Sequence, residues 1–136
     1  MDIFGFIETY LGKKVDYDGY YGAQCVDLFR QYCSDVLDVP RTESVLGAKD
    51  IIVHYEELPV TKKHFELLNA KEAKLGDIAI WGSTASNQYG HIAIVLANLG
   101  SRFIVLEQDG YKQDGTKLAY RSTDNIIGIL RKRPKQ

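Results

Sequence analysis

Cys25 and His91 are the side chains of this chain best suited to nucleophilic attack on a carbonyl. A thiolate serves as an acyl acceptor when an imidazole takes its proton and a third polar group fixes the ring. Gly19 and Gly22 punctuate a loop, and from Gln24 onward Val26, Phe29, Cys33, Val36 and Leu37 recur at the steps of a helix with one apolar face. Cys25 therefore falls in the first helical turn, where unpaired backbone N–H groups and the positive end of the dipole stabilise a thiolate. Cys33 lies on the apolar stripe, about 12 Å away at about 1.5 Å rise per residue, which is too far for a disulfide. It reads as a packing residue. The chain has no C-x-x-C spacing, and His54, His64 and His91 are scattered, so structural zinc is not expected.

His91 opens the run His91-Ile92-Ala93-Ile94-Val95-Leu96-Ala97, and Asn98-Leu99-Gly100 suits a three-residue hairpin loop with glycine in the left-handed position. That loop pairs Ala97 with Ser101 and His91 with Glu107, and it leaves Asp109 one diagonal away on the same face. A different loop slips the register by one and sets Gln108 opposite His91.

A second constellation precedes the cysteine. Asp16, Asp18, Tyr20, Gly22 and Asp27 stand at positions 1, 3, 5, 7 and 12 of an EF-hand-like spacing, in which oxygen ligands alternate along a tight loop and close on a carboxylate. Position 6 is Tyr21 rather than glycine, so Tyr20 and Gly22 would have to offer backbone carbonyls. Asp27, two residues beyond Cys25 on the helix, points away from it. A calcium ion held there would tie the loop to the helix without touching the thiol.

The elements that must position these groups change character along the chain. Ile3, Phe6, Ile7, Tyr10 and Leu11 make a short amphipathic helix that Gly12 can end, and the cysteine helix runs to about Val39, stopped by Pro40. Ala48 to Leu58 reads as a helix broken by Pro59, and Phe65 to Lys74 is ambiguous. Ile78 to Trp81, His91 to Ala97, Phe103 to Gln108, Lys117 to Ser122 and Ile126 to Arg131 are short β-rich runs between turn residues. Helices followed by an antiparallel sheet imply an α+β fold. At 136 residues, 45% of them hydrophobic, the chain makes one domain, with residues 131–136 a basic tail or linker stub. A formal net charge of −1 argues against nucleic acid as a partner. Acids stand near the amino terminus where a secretory signal needs a basic region, and no apolar run reaches membrane-spanning length. The expectation is a monomer made in the cytoplasm without a signal peptide and without membrane insertion.

Gly-Ala-Gln-Cys-Val-Asp-Leu, Leu-Gly-Asp-Ile-Ala-Ile-Trp, Gly-His-Ile-Ala-Ile-Val and Leu-Glu-Gln-Asp-Gly, in that order, resemble the CHAP domain, the cysteine- and histidine-dependent amidohydrolase/peptidase module of bacteriophage endolysins and bacterial wall hydrolases. The resemblance implies a papain-like fold, Cys25 as nucleophile, His91 as base and Glu107 as its partner. Asp109 stands where the family has asparagine. Gln24 and the Cys25 backbone amide would supply donors to the oxyanion, and Trp81 and Tyr89 would border the groove. Some phage members are similar in binding calcium through an Asp-x-Asp-x-Tyr pattern. The implied reaction is hydrolysis of a peptidoglycan amide, as endopeptidase or N-acetylmuramoyl-L-alanine amidase, after release to the cell wall. The competing readings are a bacterial autolysin or secretion-associated hydrolase and a non-catalytic, calcium-dependent wall-binding module.

Overall fold

In the computed structural model, which describes residues 1–19, 22 and 24–134, four short α-helices precede and flank a six-stranded antiparallel sheet. Helix α1 (Ile3–Tyr10) starts at Asp2, whose carboxylate accepts from Gly5 N at 2.8 Å, and it buries Phe6 edge-on against Tyr32. Helix α2 (Cys25–Tyr32) starts at Gln24, where the Asp27 side chain accepts from the Gln24 amide at 3.0 Å. The helix then widens into a π-turn over Cys33–Leu37 and ends at Asp38, a residue in the left-handed conformation with φ 54°. Asp38, not Pro40, is the stop signal. The stretch expected as one helix from Ala48 to Leu58 divides into α3 (Asp50–Val53) and a 3₁₀ turn at Tyr55–Glu57. Pro59 begins a helix instead of breaking one: it takes the first position of α4 (Pro59–His64), where its missing N–H costs nothing.

The strands are β1 (Phe65–Leu68), β2 (Ile78–Trp81), β3 (His91–Asn98), β4 (Arg102–Gln108), β5 (Thr116–Ser122) and β6 (Ile126–Lys132), in the spatial order β1-β6-β2-β3-β4-β5. β1 comes from the ambiguous stretch and pairs with β6 at one edge. The basic tail is partly built into the sheet. Arg131 forks onto Asp77 at 2.8 and 3.0 Å, and Arg133 reaches the Lys62 carbonyl at 3.2 Å.

Side-chain volume separates the two faces of the sheet. Ile78, Ile80, Ile92, Ile94, Leu106 and Leu130 project toward Leu28, Phe29 and Tyr32, whereas Ala79, Ala93, Val95, Phe103, Val105 and Ile129 form a second cluster with Trp81. The Ile-Ala alternation of β2 and β3 thus places the bulkier residues under the helices. The β3–β4 hairpin pairs Ile94 with Leu106 and Val95 with Val105, then shifts so that Ala97 meets Ile104 and Asn98 meets Phe103. The three-residue loop expected from Asn98-Leu99-Gly100 is not formed. A bulge at Leu96 and a longer turn move the register by two residues at the start of β3, which keeps every side chain on its expected face. Carried to its end, this register sets Asp109 across from His91 and Glu107 on the diagonal. Among the described residues, no helix is long and apolar enough to cross a membrane.

Cys33 is 2% exposed inside the helix–sheet interface, and burial pushes its thiol up to about 12. Cys33→Ser places a hydroxyl in that site, with an expected loss of about 1–3 kcal/mol in urea unfolding and unchanged alkylation of Cys25 in the folded protein. Equal unfolding midpoints would show that the position is not a packing site.

Candidate active site

Cys25 is the first residue of α2 and His91 the first residue of β3, so the nucleophile candidate and the base candidate are fixed by the starts of two different elements. The Cys25 thiol lies close enough to the imidazole to raise its pKa. His91 Nε2 lies 3.1 Å from Glu107 Oε1, which leaves Nδ1 as the ring nitrogen to serve the thiol. The Glu107 side chain has 0% exposure, and its second partner is Arg121, whose Nε bonds Oε1 and whose Nη2 lies 2.5 Å from Oε2. Trp81 packs on the imidazole with ring centroids 5.7 Å apart, and its indole N–H donates to the Ser122 carbonyl at 2.9 Å. Neighbouring strands contribute one residue each to this row: Trp81 from β2, His91 from β3, Glu107 from β4 and Arg121 from β5.

The electrostatics follow from this packing. Burial alone draws the His91 pKa down, but hydrogen bonds to Cys25 and Glu107 and their charges outweigh it and raise the value from 6.5 to about 9. Burial likewise pushes Glu107 up, yet the bonds from Arg121 and His91 bring it down from 4.5 to about 2. A carboxylate that stays ionised is thus held against an imidazole that readily carries a proton.

Gln24 caps α2 and is clamped from two sides. Its carbonyl accepts from Gln108 Nε2 at 2.8 Å, and a Cβ on Gly110 would stand 2.1 Å from its Oε1, so only glycine lets that side chain lie where it does. Gln108 is buried and also exchanges two bonds of 2.7 Å with the backbone of Val15. Asp109 is close enough to Arg121 to act on its charge, but its carboxylate accepts from the Tyr111 amide at 2.8 Å and the Lys112 amide at 3.4 Å, which shapes the turn after β4. Of the two groove candidates, Trp81 is 7% exposed and Tyr89 47% exposed beside Gly90.

Asp16, Asp18 and Asp27 converge ahead of the helix, each offering a carboxylate oxygen within 4.8 Å of the others. Asp27 is itself buried, and desolvation raises its pKa, with the charges of Asp18 and Asp16 adding to the rise. Gly22 has φ 72°, and a Cβ there would lie 2.8 Å from Gln113 Oε1. Tyr20 lies outside the described residues.

A family model matches residues 15–109, a span that takes in both the acidic loop and the row from Cys25 to Asp109. The chain belongs to the CHAP domain family. This CHAP domain is 36% identical over 92 residues to endolysin PlyTW of Staphylococcus phage Twort, covering 65% of this chain and 19% of that protein. It is 34% identical over 129 residues to endolysin LysK of Staphylococcus phage K, covering 93% of this chain and 24% of that protein. The chain thus spans roughly a fifth to a quarter of the length of these curated relatives. Two solved structures share the fold over 93% of the chain: endolysin LysIME-EF1, at TM-score 0.70, 23% identity and 61% of its own chain, and Ly7917, at 0.66, 20% and 60%.

Sequence reasoning missed Arg121, and it weighed Gln108 only as a residue that a slipped register sets opposite His91, not as the partner of Gln24 and Val15. The alternation Leu118, Tyr120 against Ala119, Arg121 sets Arg121 on the Glu107 face, but the turn between Asp109 and Gly115 left the β4–β5 register open. Gln108 was visible as the off-face neighbour of Glu107, and its partners came from segments far away in sequence.

The pKa values set a stability profile. His91, raised on folding, contributes stability that is complete below pH 6.5 and lost as pH rises through about 9, while Glu107, lowered on folding, contributes stability that is complete above pH 4.5 and lost as pH falls through about 2. Stability followed across pH should show an alkaline decline on the order of 3 kcal/mol that His91→Asn removes. Parallel alkaline curves for the two proteins would contradict the assignment.

Proposed function

We propose that this CHAP domain hydrolyses an amide bond of bacterial peptidoglycan with Cys25 as nucleophile, His91 as acid–base and Glu107 as the group that orients and charges the imidazole. The observation that carries this reading is the continuous row Cys25, His91, Glu107, in which the thiol meets an imidazole whose far nitrogen is held by a wholly buried carboxylate. The Cys25 thiolate attacks the carbonyl carbon, and the oxyanion is met by the Cys25 amide and the clamped Gln24. The His91 imidazolium gives its proton to the leaving amine as the C–N bond breaks, which leaves a thioester on Cys25. Water, deprotonated by His91, then attacks that thioester and frees the acid and the thiol. The scissile amide lies within the stem or cross-bridge peptide or between N-acetylmuramic acid and L-alanine. The protein would meet the wall after release from the cell in which it is made, and because two relatives are named as endolysins of staphylococcal phages, staphylococcal walls are the substrate to try first.

Cys25→Ala should slow clearing of purified walls by about 1,000-fold or more while the melting temperature stays near wild type. Mass spectra of the wild-type digest will identify the bond from the new amino terminus or the freed lactyl group. Equal clearing by Cys25→Ala would refute Cys25 as the nucleophile, and a wild-type protein that binds walls without clearing them would favour a wall-binding module.

A calcium ion at Asp16, Asp18 and Asp27 is the second part of the proposal. Calcium–oxygen distances of about 2.3–2.6 Å put opposed ligands about 4.6–5.2 Å apart, and the three carboxylates converge within 4.8 Å, so the donor set fits. Gly22 and Tyr20 would complete the loop through backbone carbonyls. The ion would neutralise the crowded carboxylates and brace the loop against the start of α2. Chelation should lower the melting temperature and added calcium should restore it, the stabilisation reaching about 2.7 kcal/mol at 100 times its Kd, a response that Asp27→Asn abolishes. Calorimetry without any calcium-dependent shift would retire the site.

A further inference from the structure

We propose that Arg121 is a positioning residue of this site: its fork onto Glu107 locks the carboxylate so that one oxygen is held on His91 Nε2. The inference rests on the proposed roles of Cys25 and His91, but it concerns a residue on β5, a strand that carries none of the three proposed reacting groups.

Arg121 is not the residue that the sheet register sets beside Glu107. Glu107 pairs with Lys117, and Arg121 pairs with Phe103, four residues away along β4. The guanidinium therefore has to reach along the sheet face to meet Glu107, and the residue between them on that face of β5 is Ala119, whose methyl group leaves the path open. Lys117 is turned away and bonds Asp114 at 2.9 Å. The groups facing Glu107 and its partner are thus His91 from β3, Arg121 from β5, Asp109 on the chain after β4, and Cys25 from α2 beyond the imidazole.

A carboxylate with 0% exposure and a single imidazole partner has two ways to fail: it can rotate away, or it can take up a proton and cease to be a permanent acceptor. The paired Nε and Nη2 bonds prevent both, because a planar fork fixes the plane of the carboxylate and a guanidinium does not lose its proton. Lysine in the same place would keep the charge and lose the fork. Arg121 itself is 39% exposed and Glu107 is not, so the cation can be changed without opening the core.

The test compares wild type with Arg121→Gln and Arg121→Lys in wall clearing across pH and in ¹³C NMR of the Glu107 carboxyl. Arg121→Gln should lower kcat by about 10- to 100-fold with KM within about twofold, and move the acidic limb of the rate profile and the Glu107 titration upward by about one pH unit or more. Arg121→Lys should keep both titrations near wild type and recover only part of the rate. A uniform loss of rate with an unmoved acidic limb and an unmoved Glu107 titration would overturn the proposal, as would variants that match wild type. If wild type clears no walls, the proposed function fails while the carboxyl titration still decides the role of Arg121.

Discussion

The site is organised around one costly group, the carboxylate of Glu107, which is buried without any contact with water. An ion in that position persists only if hydrogen-bonded cations or strong donors surround it. Its two partners come from the strands on either side, His91 from β3 and Arg121 from β5, so the local strand order β3-β4-β5 is a condition of the site and not only of the fold. Together with the Cys25 thiol, the same charge explains why a half-buried imidazole carries a raised pKa in a setting where burial by itself would lower it. Trp81, packed on the ring from β2, limits the room in which the imidazole can turn.

The end of β4 serves both halves of the site through the alternation of its side chains. Glu107 points to the face that holds His91, and the next residue, Gln108, points to the other and bonds the Gln24 carbonyl and the backbone of Val15. One strand end thereby locates His91 and the cap of the helix that Cys25 begins relative to each other. Gly110 extends this coupling, because its missing side chain gives room to Gln24. The acidic residues Asp16 and Asp18 lie between Val15 and α2 in the chain, so an ion bound there would act on the helix start from outside the row of Cys25, His91 and Glu107.

Much of this was legible in the sequence because period and residue type act locally. The apolar spacing after Gln24 placed Cys25 at a helix start, the five short β-rich runs are strands, and the acidic spacing brought Asp16, Asp18 and Asp27 together. What the sequence concealed depends on non-local competition. The hairpin register turned on a bulge at Leu96, and its two-residue shift exchanged the places of Glu107 and Asp109 relative to His91 while preserving the face. The Asp109 carboxylate went to the amides of Tyr111 and Lys112 because the turn after β4 needs an acceptor there. Pro59 starts a helix because Leu58 before it is already extended enough to precede one, and Asp38 ends another by entering the left-handed region ahead of Pro40. Arg121 became visible only when β5 was laid beside β4.

The titration of the His91 ring, followed by ¹⁵N NMR in wild type and in Glu107→Gln, tests the central claim most directly. With the buried carboxylate in place, the imidazole should remain protonated to about pH 9. Removal of that charge should bring the midpoint down by a unit or more, roughly 1.4 kcal/mol per unit, with the fold intact. An imidazole that titrates near its ordinary value in both proteins would contradict the claim that Glu107 governs the His91 ring.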